Sequence, residues 1–358
     1  MIGKEKGAIK LLIDKIESNN KSSNGTKRDD LIIIHCLIHQ QNLCAKVLSM
    51  NHVMQVVIKT VNYIRSHALQ HRRFKDYLKE LDSEYGDVVY FSQVRWLSRG
   101  RCLRQFYELR NEIDLFMNNL KRPIPELRCD KWLLDLCFLV DIIEKLNQLN
   151  ISLQGKNNLI IDSFNHINAF QKKLSLFESQ LQCNNAHHFP LLKEFKKSKS
   201  NDYNKYAMEI RKLSDAFENR FSNFELDKYK TIFEIYSSPS HVKVESAPEY
   251  LQMELIDLQC NAALKNIFET SESKIEFYNS YVTKEKFFNL RNLAQKVVSA
   301  FGSTYTCESF FSKMKLTKHK TRTNMTDVNL QHQLRCANTQ IEIDLQKLSE
   351  TVEKQISH

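Results

Sequence analysis

Apolar residues recur along much of this chain at intervals of three and four, which is the spacing of one face of an α-helix. The first such stripe runs from Leu43 to Ala68. Further stripes run from Leu103 to Leu120, from Trp132 to Leu146, from Ile160 to Leu181 and from Ile210 to Phe224. Another helix is predicted over residues 249–268. The pattern therefore predicts a mainly α-helical chain whose core is built from these stripes.

One segment departs from helical spacing. Leu31-Ile-Ile-Ile-His-Cys-Leu-Ile38 is an apolar run of strand length, typical of a strand that is covered on both faces. A single strand cannot satisfy its own backbone N–H and C=O groups, so it needs neighbours. Val88 to Phe91 and Thr231 to Tyr236 fit that role poorly. The sequence thus predicts one clear strand with few partners.

Composition narrows the fold class. Only 7 glycines and 5 prolines occur among 358 residues, which is too few for the frequent turns of a β-sandwich or barrel. The most apolar stretch, Leu133 to Val140, is too short to span a bilayer and contains Asp135. We therefore expect neither an all-β fold nor an association with a membrane.

Charge and cysteine usage indicate the class of partner. The 52 Lys and Arg exceed the 42 Asp and Glu, which leaves a net charge of +10 and favours an acidic partner such as DNA. The 9 cysteines form no C-x-x-C pair, which is typical of reduced thiols inside the cell. The expected location is the nucleus, with the cytoplasm as the alternative.

Three motifs occur in order at large spacing: IHCLIHQQNLCAK at 34–46, VRWLSRGRCLRQFYELRNEIDLF at 94–116 and FGSTYTCESFFSKMKLTKHKTR at 301–322. Together they resemble the hAT transposase superfamily, and especially its domesticated animal members with BED zinc fingers. The resemblance implies a ribonuclease H-like (α/β) fold that is interrupted by a large all-helical insertion. A transposase-derived origin is thus expected.

The resemblance also implies a domain organisation. Residues 1–118 would be the C-terminal part of a ribonuclease H-like core, and residues 119–283 the all-helical insertion domain. Residues 284–340 would return to the core and include a dimerisation segment, so a homo-oligomer is expected. A polar tail follows at 341–358.

Catalysis in this family uses two aspartates and a glutamate that hold two divalent metal ions. Glu308, in the stretch CESFF, matches the glutamate. The family's second aspartate belongs to a stretch whose last position matches Met1, so both aspartates are expected to lie upstream. We therefore predict that the chain is not an enzyme and has no cofactor, and that it would bind a divalent metal only if those aspartates exist. Two alternatives remain: an active transposase with a mis-assigned start, and, for Glu308, an ordinary glutamate near a helix start.

Two basic segments are candidates for nucleic-acid contact. Trp96 matches a family tryptophan implicated in stacking on an exposed base, and beside it lie Arg95, Arg99 and Arg101. A second run could follow a DNA backbone and comprises Lys313, Lys315, Lys318, Lys320 and Arg322. The alternatives are a tryptophan that fills a domain junction and lysines that are merely solvated.

Cys36 and His39 form a C-x-x-H motif, which in the family contributes to the fold. Zinc needs four ligands, and no second pair lies at a suitable spacing, so no metal is expected. We predict that these residues pack in the interior, with His39 hydrogen-bonded. The sequence as a whole predicts a transposase-derived, catalytically inactive protein that binds nucleic acid and self-associates. The alternative is a helical protein-interaction scaffold that does not bind DNA.

Overall fold

The computed structural model describes residues 35–48, 50–81, 85–88, 96–154, 159–195, 202–221, 227–300, 305–319 and 324–339, together with Leu11, Leu12, Asp14, Lys15 and Ser18. For residues 96–99, 227, 228 and 305–309 this description covers the backbone and not the side chains. Contacts divide the chain into two units, Met1–Ser303 and Thr304–His358.

The described part of the first unit is mainly helical, as the apolar spacing predicts. Its α-helices are α1 (Leu37–Cys44), α2 (Asn51–Ser66), α3 (Ala68–Glu80), α4 (Trp96–Glu108), α5 (Arg110–Asn119), α6 (Asp130–Leu153), α7 (Ile160–Gln182), α8 (Pro190–Glu194), α9 (Asn204–Phe221), α10 (Asp227–Ser237), α11 (Glu249–Cys260), α12 (Ala262–Thr270), α13 (Lys274–Ser280) and α14 (Phe288–Ser299). Short 3₁₀ turns lie at Ala45–Val47, Pro125–Arg128, Pro239–His241 and Val244–Ser246.

The long helix α6 lies at the centre of this unit. It packs against α4, α7 and α8, and its buried residues include positions on every side of the helix. A helix that is apolar all round is typical of a buried core element. Helix α9 packs along α7, where the Phe170 and Phe217 rings lie 5.2 Å apart. Helix α6 is thus the scaffold on which the surrounding helices are placed.

The predicted strand over residues 31–38 is wrong where the structure describes it. Leu37 and Ile38 begin helix α1, and no β-strand occurs among the described residues. The helix buries Leu37, Ile38, Gln41 and Cys44, which is helical rather than alternating spacing. A short apolar run cannot be distinguished from a buried helix segment by periodicity alone. Residues 31–34 lie outside the described residues.

The two segments that fit the role of neighbours poorly form no strand where the structure describes them. Thr231 to Tyr236 lies within α10, and Val88 is buried outside any strand. Residues 89–91 lie outside the described residues. The ribonuclease H-like part of the predicted fold and the predicted domain assignments stay predictions. Contacts group α14 with the helices that precede it, in the first unit.

The described part of the second unit is a pair of helices, α15 (Tyr305–Thr317) and α16 (Asp327–Asn338), which pack against each other. Thr326 caps the start of α16 by accepting a hydrogen bond from the Asn329 backbone N–H. Leu334 is buried, whereas Phe310, Phe311 and Leu316 are exposed. A hairpin of two helices thus leaves most of its large apolar side chains in contact with solvent.

Candidate nucleic-acid interface

Helix α4 carries the tryptophan–arginine segment that the sequence singles out. The helix begins at Trp96, and Arg99 and Arg101 lie in its first two turns. Arg101 is exposed to solvent. Arg95 lies outside the described residues, as do the side chains of Trp96 and Arg99. The stacking role of Trp96 therefore stays a prediction, and α4 is the element that carries it.

Helix α4 lies very close to α6 at Gly100. A Cβ atom at this position would collide with the amide nitrogen of Asn147 and would lie 3.1 Å from Asn147 Cγ and 3.4 Å from Ile143 Cγ2. Glycine therefore lets the α4 backbone approach α6 without displacing the Asn147 amide. Asn147 Oδ1 is buried and accepts no hydrogen bond from the residues that the structure describes.

A cavity of about 350 Å³ opens beside this contact. It is lined by Tyr85, Gly100, Arg101, Arg104, Gln105, Val140, Glu144 and Asn147. An aromatic ring, amide groups and guanidinium groups are the side chains with which proteins stack on bases, read base edges and hold phosphates. The chemistry of the cavity therefore fits part of a nucleic acid.

The two arginines of the cavity differ in their partners. Arg104 Nε lies 2.9 Å from Glu108 Oε1, and Arg104 Nη1 lies 3.5 Å from Glu144 Oε2. Such partly exposed ion pairs contribute little to stability, but they neutralise much of the Arg104 charge. Arg101 forms no ion pair with the part of the chain that is described. Arg101 is thus the cation of this site that can pair with a phosphate.

Asp87 anchors the segment before α4, which contributes Tyr85 to the lining of the cavity. Its carboxylate accepts hydrogen bonds from Arg65 and His71, and Lys75 Nζ lies 3.4 Å away. Burial raises the pKa of Asp87, but hydrogen bonds from His71 and the backbone, with the Arg65 charge, outweigh burial and hold that pKa below its ordinary value. Gln105 Nε2 donates to the Asp87 carbonyl oxygen. These bonds join α2 and α3 to the Asp87 carboxylate and α4 to the Asp87 backbone.

The predicted Cys36 and His39 motif lies at the start of α1. Cys36 is the residue that precedes the first turn, and His39 lies on the exposed face of the helix. The prediction that His39 packs in the interior is therefore wrong. Helical spacing turns His39 away from the buried side of α1, whereas an alternating strand pattern would have suggested burial.

Two lysines of the second basic run bind within the hairpin. Lys313 Nζ donates to the Ala337 carbonyl oxygen at 2.9 Å and to Asn338 Oδ1 at 2.8 Å. These acceptors lie at the C-terminal end of α16, where free carbonyl groups favour a cation. Lys318 Nζ lies 3.1 Å from Asp327 Oδ1. Both lysines therefore already have partners that hold α15 against α16.

The structure describes the other members of that run and the candidate catalytic residue only in part. Lys315 is exposed on α15, and Lys320 and Arg322 lie outside the described residues. The backbone of Glu308 lies in α15, and its side chain is outside what the structure describes. Its role as a remnant of a catalytic site stays a prediction.

In the described part of the chain, no group of three His, Cys, Asp or Glu side chains could hold a metal ion. Among the same residues, every helix is too short or too polar to cross a lipid bilayer.

Several residues of this site have no motif in the sequence. Tyr85, Asp87 and Gln105 are common residue types, and Asn147 lies on a helix predicted only as core. One signal was available, because an isolated glycine inside a helical pattern indicates close packing or function. Gly100 is such a residue, and it marks the contact between α4 and α6.

Comparison with known proteins places this geometry in a family context. Residues 35–182 match the family described as the FAM200/GTF2IRD2 helical domain. The General transcription factor II-I repeat domain-containing protein 2 of Bos taurus is 42% identical over 307 residues, which cover 86% of this chain and 32% of the relative. The protein of the same name from Mus musculus is 38% identical over 307 residues, with the same coverage.

The chain spans about a third of the length of these curated relatives. The match at 35–182 runs from α1 to the end of α7 and includes the whole cavity beside α4. Over residues 35–182 this chain is therefore similar to the FAM200/GTF2IRD2-like helical domain, and over 307 residues it is homologous to part of the General transcription factor II-I repeat domain-containing protein 2.

Proposed function

We propose that this protein is a transposase-derived nucleic-acid-binding protein that self-associates and does not act as a nuclease. The observation that carries the proposal is the cavity beside α4, where the exposed Arg101 lies with Tyr85 and Asn147 next to the helix that begins at Trp96. The net charge of +10 adds long-range attraction to phosphates.

The site would divide its contacts between phosphate and base. Arg101 would pair with a phosphate in a contact that depends on salt. Separately from this site, the exposed Lys315 of the second unit is a further candidate for phosphate contact. Trp96 would stack on an unpaired base, and the Asn147 amide lies at the same cavity to hydrogen-bond its edge. This arrangement favours DNA that offers an unpaired base, such as a hairpin.

A salt titration tests phosphate contact directly. Binding of fluorescent duplex and hairpin DNA to the full chain should weaken linearly in a log–log plot against salt. Arg101→Gln should reduce the slope of that plot by about one, because one phosphate contact is lost. The matched control is Arg211→Gln, which changes an exposed arginine on α9. No binding at low salt would instead favour the scaffold without DNA binding.

Base stacking needs a separate variant. Trp96→Ala should weaken hairpin binding more than duplex binding, since a stacked base contributes about 1–3 kcal/mol. Equal loss on both DNAs would indicate that Trp96 packs in the protein interior and does not stack on a base.

The proposed lack of nuclease activity rests on the relatives, which are named for a repeat domain of a general transcription factor. The same names favour a nuclear location for this chain. The resemblance to hAT transposases is the basis for the proposed origin and for a ribonuclease H-like remnant.

A cleavage assay tests the proposed lack of nuclease activity. Incubation of the full chain with supercoiled and hairpin DNA and Mg²⁺ or Mn²⁺ should give no cleavage. Metal-dependent cleavage that Glu308→Gln removes would refute this part of the proposal.

A further inference from the structure

The outward face of α11 is unusually apolar. Tyr250, Met253 and Ile256 lie at helical spacing and are 59%, 75% and 40% exposed. The opposite face of the helix is fully buried and consists of Leu251, Leu255 and Leu258. Helix α11 is therefore apolar on two faces, and only one of them has a partner among the described residues.

The charged outward residues of α11 are acidic rather than basic. Glu249 and Asp257 are exposed, and the helix contains no lysine or arginine. Residues 244–276 contain seven acidic and two basic residues, although the chain as a whole carries +10. One of those bases, Lys274, is held over the Phe268 ring at 3.9 Å. The face defined by Tyr250, Met253, Ile256, Glu249 and Asp257, the α11 face, is thus locally negative.

Structural needs do not explain these exposed side chains. Glu254 already joins α11 to α14, because its carboxylate accepts the backbone N–H groups of Asn289 and Leu290 at 3.0 and 2.8 Å. Gln259 on the other edge donates to the carbonyl oxygens of Pro239 and Val242. The α11 face lies between these two junctions and takes part in neither.

Charge selects the kind of partner. A negative surface repels nucleic acid, and a second α11 face would repel it as well. Three large apolar side chains on successive turns match the way in which one helix packs on another along its apolar stripe. We infer that the α11 face docks an amphipathic helix of another protein, one whose apolar stripe is flanked by lysine or arginine.

Two synthetic peptides serve as probes of this inference. Both are 18-residue helices with the same leucine stripe, and one carries lysine and the other glutamate at all remaining positions. The nuclease-treated full chain should bind the lysine peptide in fluorescence anisotropy at 150 mM salt and leave the glutamate peptide free. Because the chain is positive overall, attraction of a basic peptide has to come from a local surface.

Variants locate the binding. Met253→Lys should weaken binding of the lysine peptide at least tenfold, since it removes apolar contact and adds a like charge. Met208→Lys is the matched control, because Met208 is an equally unbranched side chain, 63% exposed, on α9. A double variant, Glu249→Lys with Asp257→Lys, should lose the lysine peptide and gain the glutamate peptide.

Three results would overturn the inference. The first is equal binding of both peptides to the unmodified chain, and the second is unchanged affinity of Met253→Lys for the lysine peptide. The third is a dimer in sedimentation that Met253→Lys dissociates, because a second copy of the chain would then be the occupant of the α11 face. Thermal unfolding checks that each variant is folded. Met253→Lys should leave DNA affinity unchanged, so that failure of this inference and failure of the proposed DNA binding are distinguishable.

Discussion

Asp141 lies in the buried interior of α6, and its carboxylate accepts the backbone N–H groups of Leu191 and Leu192 at 3.4 and 3.2 Å. The residue is 2% exposed. Burial raises the pKa of Asp141 to about 6, although the two backbone hydrogen bonds and Lys145 lower it. A raised carboxyl pKa means that the folded state disfavours the ionised form.

This residue makes stability depend on pH with a definite sign. Above pH 6, Asp141 is charged in both states, and its burial costs the folded state on the order of 2–3 kcal/mol. The cost disappears as pH falls from about 6 towards the ordinary aspartate pKa. Asp141→Asn should therefore stabilise the protein by about 1–2 kcal/mol at pH 8, after the loss of one hydrogen bond, and should not stabilise it at pH 4.5.

Urea unfolding at both pH values measures this difference. Asp76→Asn, an exposed carboxylate on α3, is the control and should change stability little at either pH. Destabilisation by Asp141→Asn at pH 8 would mean that the two hydrogen bonds outweigh the cost of the buried charge.

Gly100 gives a prediction from packing alone. Alanine favours helix over glycine by about 1 kcal/mol, but its methyl group would displace the Asn147 amide, and overpacking costs about 1–3 kcal/mol. Gly100→Ala should therefore lower the free energy of unfolding by about 1 kcal/mol. Adding Asn147→Ala should restore stability, with a coupling of at least 1 kcal/mol between the two sites. Additive effects would show that the helices do not meet here.

Gly86→Ala is the matched control for this cycle. A Cβ atom at Gly86 has nothing within 4 Å, so the substitution introduces no collision. It should be neutral or slightly stabilising in the same urea titration.

At the scale of the element, the apolar stripes predict helix existence and buried faces well. Ile167, Phe170, Leu174 and Phe177 are buried along α7 as their spacing predicts. All five prolines lie next to or inside the first turn of a helix or 3₁₀ turn, or within two residues of one. Both signals arise from local physics, namely the helical period and the geometry of proline.

Helix boundaries were predicted less well. The stripe from Leu43 to Ala68 suggests one helix, but α1 ends at Cys44, α2 begins at Asn51 and α3 begins at Ala68. Val47 lies on the predicted stripe and is 36% exposed, because the 3₁₀ turn at Ala45–Val47 changes the register. These breaks arise from tertiary packing and carry no glycine or proline signal.

Asp135 on α6 joins this helix to α2 and α9. Tyr206 on α9 donates its hydroxyl to Asp135 Oδ1 at 2.8 Å, and His52 on α2 lies 2.9 Å from Asp135 Oδ2. Lys205 forms an ion pair with the same carboxylate. Burial raises the pKa of Asp135, but the hydrogen bonds from Lys205, Tyr206 and His52 outweigh burial and leave that pKa below its ordinary value.

Removal of this carboxylate should loosen the packing of α2 and α9 on α6. Asp135→Ala leaves the buried Tyr206 hydroxyl without its acceptor, and we expect a loss of about 3 kcal/mol at pH 7. A lowered carboxyl pKa gives stability that is present at neutral pH and is lost as pH falls through the acidic range below pH 4. The variant should therefore differ less from the unmodified chain in stability at pH 3 than at pH 7.

Thermal unfolding across pH 3–8 checks this prediction. Asp215→Ala, at an exposed position of α9, is the control and should remain within about 0.5 kcal/mol of the unmodified chain. An equal loss at pH 3 and pH 7 would mean that side-chain packing, not charge, accounts for the effect.

At the scale of the whole molecule, the sequence predicts the helical class but only one part of the site. Trp96 and the arginines around it were found because they are adjacent in a motif. Asp87 and Asn147 lie on either side of that motif in the chain; Gln105 on α4 binds Asp87, and the contact at Gly100 places Asn147 beside α4. Periodicity shows which face of a helix is buried, but it does not show which other helix covers that face.

Self-association is a property of the whole molecule, and the second unit is where we expect it. Leu316 on α15 is 78% exposed and Phe311 is 49% exposed. Burial of a leucine contributes about 1.5–3 kcal/mol, and a two-fold interface contains each residue twice. Leu316→Glu should therefore weaken a dimer by well over tenfold in sedimentation equilibrium. Leu176→Glu, at a position 46% exposed on α7, should leave the dimer intact. A dimer that tolerates Leu316→Glu but not Leu176→Glu would place the interface on the first unit instead.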